Sequence, residues 1–132
     1  AAYDSALVYN PSNIGALNNY AYYLSVERRE LDKAEEMSFK TVKAEPKNST
    51  YLDTYAWILF EKGNYAEARI YIDEALKNGG EQSDVIVEHS GDIYYMTGDV
   101  ENALKFWKKA LEMGSKSATI KKKIEQKKYI TE

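Results

Sequence analysis

"GNYAEARIYIDEAL", Gly63 to Leu76, decides how the chain is read. It has the form of half a unit: a glycine, then a helical pattern with alanines where a partner must come close. Slid along the chain, it falls on "GDVENALKFWKKAL", Gly98 to Leu111, with the two glycines, Ala68/Ala103 and Ala75/Ala110 in register. Upstream of each glycine stands a second helical pattern, "LDTYAWILFEKG" from Leu52 and "VEHSGDIYYMTG" from Val87, offset by 35 residues. Ala56 and Gly91 align as the small residue of this pattern, Leu59 and Tyr94 as the large one. A third copy, "LNNYAYYLSVERRELDKAEEM" from Leu17, puts Ala21, Leu24 and Ala34 in the same places. Self-similarity at such a period marks a stack of helix pairs, each too small to bury its apolar face alone.

Ala34 and Ala68 are 34 residues apart, while Ala21 and Ala56 are 35 apart, so single residues are inserted in turns. One insertion belongs in "VERRE", Val26 to Glu30, which lacks the glycine of the later turns; another belongs in "NGGEQS", Asn78 to Ser83. An extra loop residue leaves the helices on either side in phase. Ala21, Ala56 and Gly91 are expected to meet Ala34, Ala68 and Ala103, because antiparallel helices approach closely only where side chains are small. Gly63 and Gly98 suit the left-handed position that ends a helix, and Ser49 and Asp84 are expected to cap the helices that follow. "SALVYNPSN" parallels "TVKAEPKNS", aligning Pro11 with Pro46, so residues 1–12 read as the end of a truncated unit. The expected organisation is an all-α solenoid of helix pairs at 13–47, 48–82 and 83–116, with a capping helix at 117–132.

Composition agrees with that class. Of 132 residues 30% are charged and only two are proline, which favours helices over a turn-rich β fold. The longest apolar run, "YAWILF" from Tyr55 to Phe60, is far short of the roughly 18 residues that cross a bilayer, so this segment is not expected to insert in a membrane. With no cysteine there are neither disulfides nor thiolate metal sites. Residues 116–132 hold six lysines and two glutamates, +4 of the net −3, leaving −7 on the acidic body. The lysines around the Ile120/Ile124 stripe read as solubilising residues of a terminal helix rather than as a nucleic-acid patch.

The 34-residue helix–turn–helix pattern resembles the tetratricopeptide repeat along essentially the whole chain. Gly91, Tyr94, Gly98, Ala103, Trp107 and Ala110 match that family's pattern best, followed by Leu52, Ala56, Leu59, Gly63, Tyr65, Ala68 and Ala75. The first copy departs from it, with Ser38 in place of the aromatic and Thr41 in place of the second alanine. "LDTYAWILFEKGNYAEA" and "EHSGDIYYMTGD" are also similar to bacterial repeat proteins, many of them exported, which favours the cell envelope over the cytoplasm. The family resemblance implies a non-enzymatic scaffold that binds a peptide or partner segment in a concave groove lined by the first helix of each pair. The groove positions fall on Asn18 and Tyr22 with Ser25, on Asp53, Trp57 and Phe60, and on Glu88, Asp92 and Tyr95. Tyr22, Trp57 and Tyr95 have a second reading as packing residues between repeats. The lysine–arginine–asparagine clamp by which some members hold a terminal carboxylate has no cation here. Asp53, Glu61, Glu88 and Asp92 face the groove in this register and no Lys or Arg does, so the expected ligand is a basic segment with aromatic or aliphatic residues.

Other classes carry less. His89, the only histidine, stands beside Glu88 and Asp92, and a carboxylate one turn away lets a histidine move protons or hold a metal. One histidine without cysteine is short of a usual zinc set, so neither metal nor cofactor is expected and His89 reads as a polar packing residue. Two alternatives remain: self-association through Ala2, Ala6 and Leu7 at the open end of the stack, or service as an accessory domain to a catalytic part outside this segment.

Overall fold

The structure is a computed structural model and describes residues 13–131. Ala2, Ala6 and Leu7, the residues expected to self-associate, and the truncated unit expected at 1–12 lie outside the described residues. Among those described, the α-helices are α1 (Ile14–Glu27), α2 (Leu31–Ala44), α3 (Ser49–Glu61), α4 (Tyr65–Lys77), α5 (Asp84–Met96), α6 (Val100–Glu112) and α7 (Ile120–Gln126). A single 3-10 turn, Gly80–Gln82, fills the connection between α4 and α5. Successive helices pack as antiparallel pairs, α1 with α2, α3 with α4 and α5 with α6, and each pair stacks on the next. This is the all-α solenoid that the repeats imply.

The turn inside each pair has one design. The Gly63 N–H donates to Phe60 O at 3.0 Å and the Asn64 N–H to Leu59 O at 2.8 Å; Gly98 and Asp99 repeat this on Tyr95 and Tyr94 at 3.0 and 2.9 Å. Both glycines sit at positive φ, 86° and 90°, where a side chain would be strained. In the first pair Arg28 takes the same place at φ 54°, with its N–H on Ser25 O and the Arg29 N–H on Leu24 O. The inserted residue is absorbed just beyond, where Glu30 also turns left-handed, at φ 45°. The helix starts need one correction. The caps are Asn48 and Ser83, whose side chains accept from the Tyr51 and Ile86 N–H groups, while Ser49 and Asp84 are already the first helical residues. An N-cap must itself be extended so that its side chain can fold back to the third residue on, and Asn48 and Ser83 meet that condition.

Ala21, Ala34, Ala56, Ala68 and Ala103 have no accessible surface, as close helix contact requires. Gly91 shows how tight that contact is: a Cβ there would lie 2.4 Å from Trp107 Cδ1, so the indole of α6 fills the space that the missing side chain of α5 leaves. Ile58 of α3 reaches the core of the first pair, Ile86 and Ile93 of α5 reach that of the second, and Ile120 of α7 closes that of the third. The core is therefore continuous from pair to pair. In α7 the structure departs from the expected pattern of solubilising lysines. Lys121 and Lys122 are exposed, but Lys123 is only 2% exposed and reaches beneath the stack to α5.

Ala68→Leu and Ala103→Leu are each expected to lower the unfolding free energy by about 1–3 kcal/mol, because neither site has room for added methylenes. Lys108→Ala, on the exposed side of α6, should stay within about 0.5 kcal/mol of wild type. Urea denaturation of the three variants checks this, and tolerance of leucine at both alanines would show that the helix contacts lie elsewhere.

Candidate functional site

Helices α1, α3 and α5 stand side by side and present residues at intervals of three and four to one common face. Two cavities open there. The larger, of about 520 Å³, is lined by Tyr22, Trp57, Glu88, His89 and Asp92, with one wall formed by residues 114–117 after α6. The smaller, of about 240 Å³, is lined by Asn18, Thr50, Asp53, Thr54 and Ile86. Tyr22 and Val85 line both, so the two form one trough. These residues are 38% and 48% exposed, which makes them the large apolar surfaces that a ligand can cover.

The other groove residues read from the sequence are distributed differently. Asn18 is buried at the trough wall, with its Oδ1 unpartnered among the described residues. Ser25 is buried and donates to Tyr22 O at 2.7 Å. Trp57 lies between two rings, stacked on His89 at 4.0 Å between centroids and on Phe60 at 4.5 Å. Its faces are occupied, so it is a rigid floor that offers its edge. Phe60 is buried under Trp57, Tyr65 and Tyr129, and Tyr95 tilts onto Trp107 at 6.0 Å; neither lines the cavities. The sequence register does not place His89 or Val85 in the groove. A lone histidine beside carboxylates has the look of a packing residue, while Val85 stands 35 positions after Thr50 and occupies the same first turn of its helix, a signal that could have found it.

The expectation that no cation stands on this face is overturned. The Lys123 ammonium lies 2.9 Å from Glu88 Oε2 and 3.0 Å from Asp92 Oδ1. Asp92 Oδ1 also accepts from the Trp107 indole N–H at 2.9 Å, and Glu88 Oε1 from the Ser115 hydroxyl at 2.9 Å. Glu61 pairs with Arg28 at 2.7 Å. The reason is tertiary: α7 turns back under α5, and two buried carboxylates are tolerated only with a cation and donors around them. Burial pushes Asp92 up to about 6 against the pull of Lys123 and His89. Burial also works to raise Glu88, but Lys123 and its serine donors outweigh it and hold that carboxyl below its ordinary value.

Asp53 has a different partner. His89 Nδ1 lies 2.8 Å from Asp53 Oδ1, so the ring donates its Nδ1–H to the carboxylate and presents Nε2 away from it. Burial alone would lower the His89 pKa, but Asp53, Asp92 and Glu88 outweigh it and the net shift is upward. Among the described residues no group of three or more His, Cys, Asp or Glu side chains is arranged to hold a metal, and no helix is long and apolar enough to cross a membrane.

Two measurements test this electrostatic picture. Lys123→Ala leaves Glu88 and Asp92 buried without their cation and is expected to cost about 3–5 kcal/mol in a denaturant titration, against about 0.5 kcal/mol or less for Lys122→Ala. The single histidine gives one resolved imidazole signal in a proton NMR titration. It should titrate above the ordinary 6.5 in wild type and fall in Asp53→Asn. Because the folded value is the higher one, the stability that His89 contributes is complete below the unfolded pKa and is lost as pH rises through the folded pKa. A wild-type midpoint at or below 6.5 would mean that burial outweighs the carboxylates.

No protein-family model matches the chain, and no curated protein matches it. Solved structures do. The first tetratricopeptide domain of Spaghetti (RPAP3), bound to the HSP90 peptide SRMEEVD, is similar at TM-score 0.76 and 16% identity, over 86% of this chain and 89% of that one. Pseudomonas aeruginosa pilF is similar at TM-score 0.79 and 21% identity over 95% of this chain, which spans 56% of its length. The Sgt2 tetratricopeptide domain of Aspergillus fumigatus is similar at TM-score 0.76 and 18% identity, over 88% of this chain and 77% of that one. At these identities the likeness speaks for the fold, and it agrees with the repeat register and the helix pairing: the chain is a repeat protein of the tetratricopeptide fold.

Proposed function

We propose that the chain is a non-enzymatic binding module that takes an extended segment of a partner protein along the trough between α1, α3 and α5. The observation that carries this reading is the continuity of the two cavities across Tyr22 and Val85, which leaves exposed apolar surface at the centre of a groove with polar walls. Peptide sites have that anatomy, with a few large side chains holding the ligand and polar groups at the margin selecting it. The peptide bound to the RPAP3 domain supports the reading, since that ligand is accommodated by the same fold.

The charge of the preferred segment is the second part of the proposal. Asp53, Asp84, Glu88 and Asp92 line the trough, and Lys123 is consumed by Glu88 and Asp92. Lys116 stands exposed at the outer wall. An acidic segment such as the one bound to RPAP3 would meet carboxylates along most of its length, so basic segments with aromatic or aliphatic residues are favoured. Placement in a bacterial cell envelope belongs to the same proposal and rests on the narrower likeness of the second and third repeats.

Tyr22→Ala is expected to cost on the order of 2 kcal/mol in affinity for peptides selected on the wild-type chain, as loss of an anchoring aromatic does. Lys108→Ala, on α6, should cost nothing measurable. Calorimetric titration decides this, with circular dichroism to show that both variants are folded. Equal affinity in wild type and Tyr22→Ala would remove the trough as the binding site.

A further inference from the structure

Three carboxylates are buried along the trough, and the chain neutralises only two of them with a side chain that is always cationic. Glu88 and Asp92 share Lys123, a buried ammonium that also lies 5.2 Å from the centre of the Tyr129 ring. Asp53, 6% exposed, has no lysine or arginine beside it among the described residues. Its Oδ1 receives His89. Asp53 lines the smaller cavity, whose other walls include Tyr22, Thr54, Val85, Ile86 and buried Asn18, whose Oδ1 is unpartnered among the described residues. That is space for the stem of one long side chain leading to a carboxylate, and long cationic side chains bury their stems in this way.

Taking the peptide-binding reading as its basis, we propose that Asp53 is the subsite for one lysine or arginine side chain of the bound segment, and that protonated His89 competes with that side chain for the same carboxylate. A neutral His89 leaves Asp53 with its full charge, while a protonated ring already compensates it. The charged groups around His89 are Asp53 on α3, Asp84, Glu88 and Asp92 on α5, Lys116 on the wall and Lys123 on α7. Lys123 is held by two of these carboxylates, and the imidazole directly contacts only Asp53 among them. Cationic segments therefore bind more tightly as pH rises through the titration of His89, and neutral segments do not follow that profile.

The test selects random phage-displayed peptides on the full chain, then titrates the best synthetic peptide beside analogues in which each Arg is citrulline and each Lys norleucine. One fixed cationic position is expected, whose neutral analogue binds wild type about tenfold more weakly but binds Asp53→Asn as well as the parent peptide does. On wild type the parent peptide should tighten between about pH 5.5 and pH 8 and the analogue should not, and the rise should be lost in His89→Gln, in which Asp92, near 6, still titrates. These comparisons on the wild-type protein hold even if Asp53→Asn fails to fold. Selected peptides without a cationic position, or with one that Asp53→Asn leaves equally important, would overturn the subsite while Tyr22→Ala still tested the trough. A flat pH profile for the parent peptide would overturn the competition with His89. No selected peptide at all would overturn both this proposal and the groove reading.

Discussion

Asp92 ties three helices together. It belongs to α5, accepts the indole N–H of Trp107 from α6, and lies 3.0 Å from the Lys123 ammonium of α7. Trp107 can reach it only because Gly91, one residue earlier, has no Cβ to hold the indole off. Replacing the tryptophan would strand a carboxylate without its donor, and replacing the lysine would strand two carboxylates. A stack of helix pairs is stable only when its last face is covered, and apolar and ionic contacts combine to cover it here. Ile120 closes the core while Lys123 anchors the helix.

That anchoring shapes the trough. The wall at 114–117 lies between α6 and α7, so the course of the chain into α7 bounds the larger cavity. Tyr129, just beyond α7, packs edge-on against Phe60 at 5.2 Å and helps to bury it. Phe60 in turn supports Trp57, and Trp57 supports His89. The column of rings runs from the C-terminal segment through α3 to α5 and fixes the imidazole that donates to Asp53. The position of the imidazole beside Asp53 thus depends on packing that begins with the last helix, and the stacked rings give the trough a rigid floor.

Much of this architecture is legible in the linear chain. The alanine and glycine register, the two left-handed glycine turns and the antiparallel pairs all follow from local sterics, which act over a few residues and repeat with the period. Even the departures obey the same rule: Arg28 does without a glycine what Gly63 and Gly98 do with one, since the hydrogen bonds of the turn are the same. The caps fall one residue earlier than the sequence suggests because asparagine, serine, threonine and aspartate cluster at each start, and only the backbone angle tells which of them is outside the helix.

The candidate site is legible as a face but not as a set of free groups. The repeat spacing, together with the family resemblance, puts Asn18, Tyr22, Asp53, Trp57, Glu88 and Asp92 on one side of the stack. Tertiary structure alone decided that Trp57 is covered on both faces, that Phe60 and Tyr95 turn away from the cavities, and that Glu88 and Asp92 are already paired. The physical reason is the range of the forces. Helix formation and close packing are written in neighbours three and four apart, whereas a buried charge is settled by whichever opposite charge the fold brings within about 3 Å. In sequence Lys123 stands among exposed lysines, 35 residues from Glu88 and 31 from Asp92, and nothing local distinguishes it from Lys121 or Lys122.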